Sequence, residues 1–337
     1  MIDSPRFLRT RRNSSRRDWS KALTVGEEVR GEEPLVPPPL ERTFDQAEVD
    51  SAAWENGLEP IGVRPHLGAY IKDLWARRSF IKVMALSKAY AENQNTYLGQ
   101  LWTLFSPMMN AAVYVVIFGF ILQVGRAGIE NTIAFIVCGV FMFRFFERSV
   151  MAGAHSINKN LNLVRSVKFP RAVLPIAGVL SELAILGPAV AVMALISYVS
   201  GFLPFAGKVT IDWYWLLTIP AIGLLWIFST GCAFLVARWV AITPDLDNLI
   251  PHVMRVLMYA SGVIFSIDRY LGQFSWGWIA QYQPVAVYLY LVRSCLLNEP
   301  AYPQSLFMWL LGIGWAVVFA VAGFLVFWRG EERYGRD

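Results

Sequence analysis

Few residues in this chain are of a type and spacing that could do chemistry, and they fall into three groups. Within its apolar part the close carboxylate pair is Asp245 and Asp247, in "TPDLDN". Two such aspartates could hold a divalent metal for sugar transfer, but ahead of a helix they more often serve as caps. A second group, Arg144, Glu147, Arg148 and Glu182, interrupts long apolar runs. Charge at membrane depth is costly and calls for a partner. The third group is the stretch 158–175, "NKNLNLVRSVKFPRAVLP", which carries Lys159, Arg165, Lys168 and Arg171, no acid and two prolines between strongly apolar flanks. No GxxxxGK[ST] loop is present to cradle ATP phosphates, and HExxH, CxxC and GxSxG are likewise missing. The three histidines are scattered, and Cys138, Cys232 and Cys295 give no disulfide framework. No metal or other cofactor is expected on this chain.

The elements that must position these groups follow from composition. Of 337 residues, 55% are apolar, 14% aromatic and only 16% charged, where a soluble domain carries about 25% charged residues. The mean hydropathy is +0.43. The chain reads as an all-α integral membrane protein. Of 30 Lys and Arg, 15 lie in the first 100 residues; beside so apolar a remainder this fits topogenic charge, and no nucleic acid partner is expected. The basic start is followed by no apolar h-region, so a cleaved secretory signal is not expected. Residues 1–65 pass from basic to acidic around "VPPPL" and read as a disordered, charged cytoplasmic tail. Residues 66–95 form the next unit. There Leu67, Tyr70, Ile71, Leu74, Trp75, Ile81 and Met84 recur near a 3.6-residue period, as in an amphipathic helix at the bilayer interface or packed on a partner.

Spans are expected at about 97–124, 132–152, 172–199, 214–236, 249–267 and 304–328, six in all within a transmembrane domain of 97–330, with 331–337 a short tail. Residues 267–303 are apolar and aromatic but broken by Gly272, Gly277 and Pro284, which suits external re-entrant half-helices better than further spans. The 158–171 loop holds four cations and the C-terminal "RGEERYGRD" three, whereas the 125–131 and 200–213 loops hold one each. Both termini are therefore expected in the cytoplasm. Arg144 lies 12 residues inside span two and Glu182 10 residues inside span three. At 1.5 Å per residue their depths agree within one turn, which predicts that they pair. Trp102, Tyr114, Phe118, Trp276, Trp278, Gln283, Pro284 and Tyr288 are candidates for a substrate path or gate, since aromatic faces suit sugars, although interfacial belts account for most tryptophans.

The loop "INKNLNLVRSVKFPRAVLP" resembles the cytoplasmic coupling loop of ABC-2 type polysaccharide export permeases, with Asn158, Asn160, Asn162, Phe169, Pro170, Arg171, Leu174 and Pro175 at the matching places. "TYLGQLWTLFSPMMNAAVYVVIFGFIL", "CGVFMFRFFERSVMAGAHSI" and "MYASGVIFSIDRY" with "QYQPVAVYLYLVRSCLL" are similar to that family's first, second and fifth spans and gate helices. The likeness covers about 68–330. The departures, "TPDLD" for Arg-Asp, Ser261-Gly262 for Ser-Pro and Gln283-Pro284 for Asn-Pro, bear on substrate identity. The resemblance implies a homodimer in a bacterial inner (plasma) membrane, bound to two copies of a nucleotide-binding subunit that carries the ATP and Mg, and exporting a lipid-linked polysaccharide such as O-antigen, teichoic acid or cell-wall galactan. Asn158, Lys159, Asn160, Asn162, Arg165, Lys168, Phe169, Pro170 and Arg171 would then form the ATPase-coupling element, and no residue of this chain would be catalytic. Other readings are an ABC-2 exporter of a lipid or drug, and an integral-membrane glycosyltransferase built on Asp245 and Asp247.

Overall fold

The computed structural model describes residues 66–92, 97–99, 101–121, 128–167, 169–204, 206–275, 277–331 and 334. The expected tail 1–65, together with Lys168 and Trp276, lies outside the described residues. Every regular element described is helical. Helices α1 (Leu67–Ala76) and α2 (Arg78–Ala91) precede α3 (Leu101–Tyr114), which continues as a π-helix over Val115–Ile121. Then come α4 (Thr132–Ala154), a 3-10 turn at Asn158–Asn160 leading into α5 (Leu161–Ser166), and α6 (Val173–Ser200). A 3-10 turn at Trp213–Leu217 opens α7 (Thr218–Ile242), followed by α8 (Leu246–Ala260), the short α9 (Ile267–Leu271) and α10 (Gly277–Tyr282), then α11 (Pro284–Leu296) and α12 (Leu306–Arg329).

Four stretches among the described residues are long and apolar enough to cross a membrane: 101–121, 173–200, 213–242 and 306–329. The second expected span is the 23-residue α4, which carries Arg144, Glu147 and Arg148 on its polar side. The fifth is shorter than its apolar run. Helix α8 stops at Ala260, and Gly262, two residues on, takes φ +67°. Such a left-handed turn is open to glycine at little cost. At 1.5 Å per residue, the 15 residues of α8 extend only about 22 Å. The segment after it is broken into α9, α10 and α11, as its glycines and proline predict; Pro284 takes the first turn of α11, where its missing N–H leaves no bond unmade.

Helix α4 is the centre of the bundle. Sixteen of its residues are buried, and it packs against α3, α6, α7 and α11. Its first turn is held from three sides. Asn131 Oδ1 accepts from the Ala134 N–H at 2.9 Å, while its amide donates to Ser200 Oγ at 2.9 Å and to the Gly207 carbonyl at 3.0 Å. The buried Glu299 carboxylate accepts from the Glu130 and Asn131 N–H groups at 2.9 and 2.7 Å. A carboxylate there meets the positive end of the helix dipole.

Helices α7 and α12 make the most extensive helix pair, and glycines set its closeness. A Cβ on Gly231 would lie 2.4 Å from the Phe319 carbonyl, and one on Gly323 would lie 2.2 Å from the Gly231 oxygen. Small residues allow backbones to approach where lipid supplies no hydrophobic drive between helices. Gly231→Val is expected to force α7 and α12 apart and cost about 1–3 kcal/mol. The check is the unfolding temperature in detergent, and an unchanged midpoint would refute this packing role.

The amphipathic segment is two helices broken at Arg77. Tyr70, Ile81 and Ala85 are buried, α2 packing along α6, while Trp75, Val83, Leu86 and Tyr90 remain exposed.

Candidate coupling loop and polar cleft

Arg148 on α4 is the hub of the polar groups in the bundle. Its guanidinium grips Glu182 on α6 in a forked pair, Nε to Oε2 at 2.5 Å and Nη2 to Oε1 at 3.3 Å, and Nη2 also donates to Glu92 at the end of α2. Planar guanidinium matches carboxylate geometry, so one arginine can tie three helices. The expected Arg144–Glu182 pair is thereby corrected. Arg144 bonds Glu147 on its own helix at 3.2 Å, and Arg148, one turn on, takes Glu182. Both arginines still face one cleft of about 250 Å³ between α3, α4 and α6, which Trp102 also lines. A second cleft, of about 380 Å³, lies on the other side of the Arg148 bridge, against α2 and the loop after α4.

The loop between α4 and α6 divides into an exposed crest and a buried root. Asn158, Lys159, Asn162 and Arg165 are exposed, and Asn160 spans back to donate to the Ser156 carbonyl at 2.7 Å. Val164 is buried beneath. Phe169 and Pro170 do not belong to the crest: both are buried, Phe169 meeting the edge of Phe80 with ring centres 6.1 Å apart. Arg171 turns inward too. Its N–H donates to Glu331 Oε1 at 2.9 Å and its guanidinium to the Glu331 carbonyl. Tyr70 donates to Glu331 Oε2 at 2.9 Å and accepts from the Ala172 N–H at 3.1 Å. One knot thus joins α1, the root of the loop and the end of α12. Burial raises the Glu331 carboxyl above the usual carboxylate range, the Arg171 N–H and Tyr70 hydroxyl opposing it.

The remaining candidates are spread over the molecule. Tyr114 Oη reaches Met258 Sδ at 3.7 Å, bridging α3 and α8, with the Phe118 ring centre 6.2 Å away. Trp278 is exposed on α10, and Gln283 donates to the Ala260 carbonyl at 2.7 Å. Tyr288, on α11, packs toward α7 and α12. It is fully buried, its hydroxyl donating to the Gly312 carbonyl at 2.8 Å and its ring against Phe228. Asp247 pairs with His155 at 3.0 Å, tying α8 to the end of α4, and Asp245 sits at the helix N-cap without a side-chain cap bond.

Sequence reasoning passed over Arg293. This buried cation on α11 donates to the carbonyls of Gly262, Val263 and Phe135 at 2.9, 2.8 and 3.2 Å, and its guanidinium carbon lies 3.5 Å from the Phe135 ring centre. A lone arginine inside "YLYLVRSCLL" was the available signal.

Residues 85–297, which contain the whole loop and both clefts, match the ABC-2 type transporter family. The chain belongs to that family. Among relatives of this ABC-2 transporter chain is an O-antigen export system permease protein RfbA of Klebsiella pneumoniae, 24% identical over 242 residues, 72% of this chain and 88% of the relative. A second of the same name and organism is 25% identical over 61% of this chain and 75% of its own. One from Myxococcus xanthus is 23% identical over 59% and 72%.

Proposed function

We propose that this ABC-2 chain is the membrane subunit of an exporter moving a lipid-linked polysaccharide of the O-antigen kind across a bacterial inner membrane, driven by ATP hydrolysed on two separate nucleotide-binding subunits. The observation that carries this reading is the loop's placement. Its exposed crest sits between α4 and α6, the helices that Arg148 and Glu182 lock together, so a push on the crest reaches both at once. Substrate class rests on the relatives' names.

In this reading α3, α4, α6, α7, α8 and α12 are six spans with both termini in the cytoplasm, α9 to α11 close the outer end, and two copies frame the path. Asn158, Lys159, Asn162 and Arg165 meet the ATPase. Phe169 and Arg171 act from beneath, by fixing the shape of the root. Trp102 at the cleft, with Tyr114 and Phe118, offers aromatic surface to the cargo.

The deciding experiment is a mild-detergent pull-down of the full-length protein at native expression, with mass spectrometry and an ATPase assay. A stoichiometric nucleotide-binding subunit with vanadate-sensitive activity is expected, with Arg165→Glu weakening its retention and Lys72→Glu on exposed α1 leaving it intact. A permease that elutes without any ATPase would overturn the reading.

A further inference from the structure

The cleft on the loop side of the Arg148 bridge brings Lys88, a cation without a role in the transport reading, to the same cavity as Lys159 at the foot of the crest. Lys88 from α2 and Lys159 from the 3-10 turn both line it, together with His155, Ser156 and Asn160. The cleft's two carboxylates, Glu92 and Glu182, both bind Arg148. Neither lysine forms an ion pair among the described residues. Burial, and then the charge of Lys159, press the Lys88 ammonium below its usual range. Two cations held around one cavity repel each other until an anion separates them. Ser156 adds an independent sign. It lines the same cleft at 2% exposure, and its hydroxyl has no hydrogen-bond partner among the described residues. A buried hydroxyl is costly when left unpaired.

We propose that this cleft binds a phosphate-bearing headgroup, with Lys88 and Lys159 as charged contacts and the Ser156 hydroxyl as a donor. Its volume of about 380 Å³ admits a phosphate or diphosphate together with the group it esterifies. The exposed apolar side chains of α2, Val83, Leu86 and Tyr90, supply a lipid-compatible surface on the helix that carries Lys88. Phosphate of this kind has two sources at a membrane surface, a bilayer phospholipid or the phosphorylated lipid end of a cargo. Either would bridge α2 to the crest and stiffen it. The inference rests on the membrane placement in the proposed function, and not on the ATPase.

The test uses full-length protein in mild detergent with native mass spectrometry, and without nucleotide or ATPase, so its outcome is independent of whether a partner co-purifies. The probes are phosphatidylglycerol against diacylglycerol, and farnesyl diphosphate against farnesol. Retention is expected for the phosphate-bearing member of at least one pair, weakened about tenfold by each of Lys88→Gln and Lys159→Gln and unaffected by Lys72→Gln. Loss confined to phosphatidylglycerol identifies the bilayer source, and loss confined to farnesyl diphosphate the cargo source. Retention of both phosphates by a variant combining Lys88→Gln and Lys159→Gln, equal to that of the unaltered protein, overturns the proposal. On unaltered protein, the bound phosphate probe is expected to protect Lys88 from amine acetylation; equal labelling with the phosphate-free probe would also overturn it.

Discussion

Arg148→Met is expected to lower stability by about 3 kcal/mol. The change leaves Glu182 on α6 without its forked partner and Glu92 without its bridge, at a place where Glu182 is only 13% exposed. An uncompensated carboxylate in such surroundings must be neutralised or hydrated, and either route loosens α6 from α4. Glu182→Gln is expected to cost less, since an amide oxygen can still accept from the guanidinium. Combining Arg148→Met with Glu182→Met should recover part of the loss, because a well-packed apolar pair replaces the ionic one. The measurement is the detergent unfolding midpoint across the cycle. If the double variant were no more stable than Arg148→Met alone, the two side chains would not be energetically coupled. Arg144→Met is the contrast. It frees only Glu147, which is 29% exposed on the same helix, and should cost under about 1 kcal/mol.

Glu331→Ala carries the second large expectation, a loss of about 2–4 kcal/mol. Glu331 is 8% exposed and its carboxylate takes both the Arg171 N–H and the Tyr70 hydroxyl, so removal strands one buried and one part-buried donor. Tyr70→Phe removes one donor to Glu331 and the acceptor of the Ala172 N–H, and should cost about 1–2 kcal/mol. Glu331→Gln should fall between Glu331→Ala and the unaltered protein. Fluorescence-detected size exclusion after graded heating ranks the three. An Ala variant as heat-resistant as the unaltered protein would show that the knot does not hold α1, the loop's root and the end of α12 together.

The difference between Arg148 and Arg144 shows what a sequence of this type makes legible. Hydropathy gives depth, and depth placed an arginine of α4 level with Glu182 to within a turn. Which arginine faces α6 depends on helix rotation, and 144 and 148 are four residues apart on one face. Spans and the cationic loop are readable because they are local patterns. The exposed crest at 158–165 follows from its polarity. The inward turn of Phe169 and Arg171 does not, because it depends on Phe80, Tyr70 and Glu331, remote in the chain. The end of α8 was written in Ser261-Gly262, but apolar residues on both sides conceal it from any hydropathy window. Arg293 was visible as a charge, and its carbonyl partners could be supplied only by the fold.

The Glu331 knot also has a consequence in time. Its members are 261 and 160 residues apart, and the last to leave the ribosome is the glutamate that accepts from the other two. Tyr70 and the root of the loop are made early and share the Ala172 N–H bond, but the knot is complete only when α12 has been inserted and the chain has run past Arg329. A chain halted before that point lacks the glutamate that joins α1 to the root of the loop.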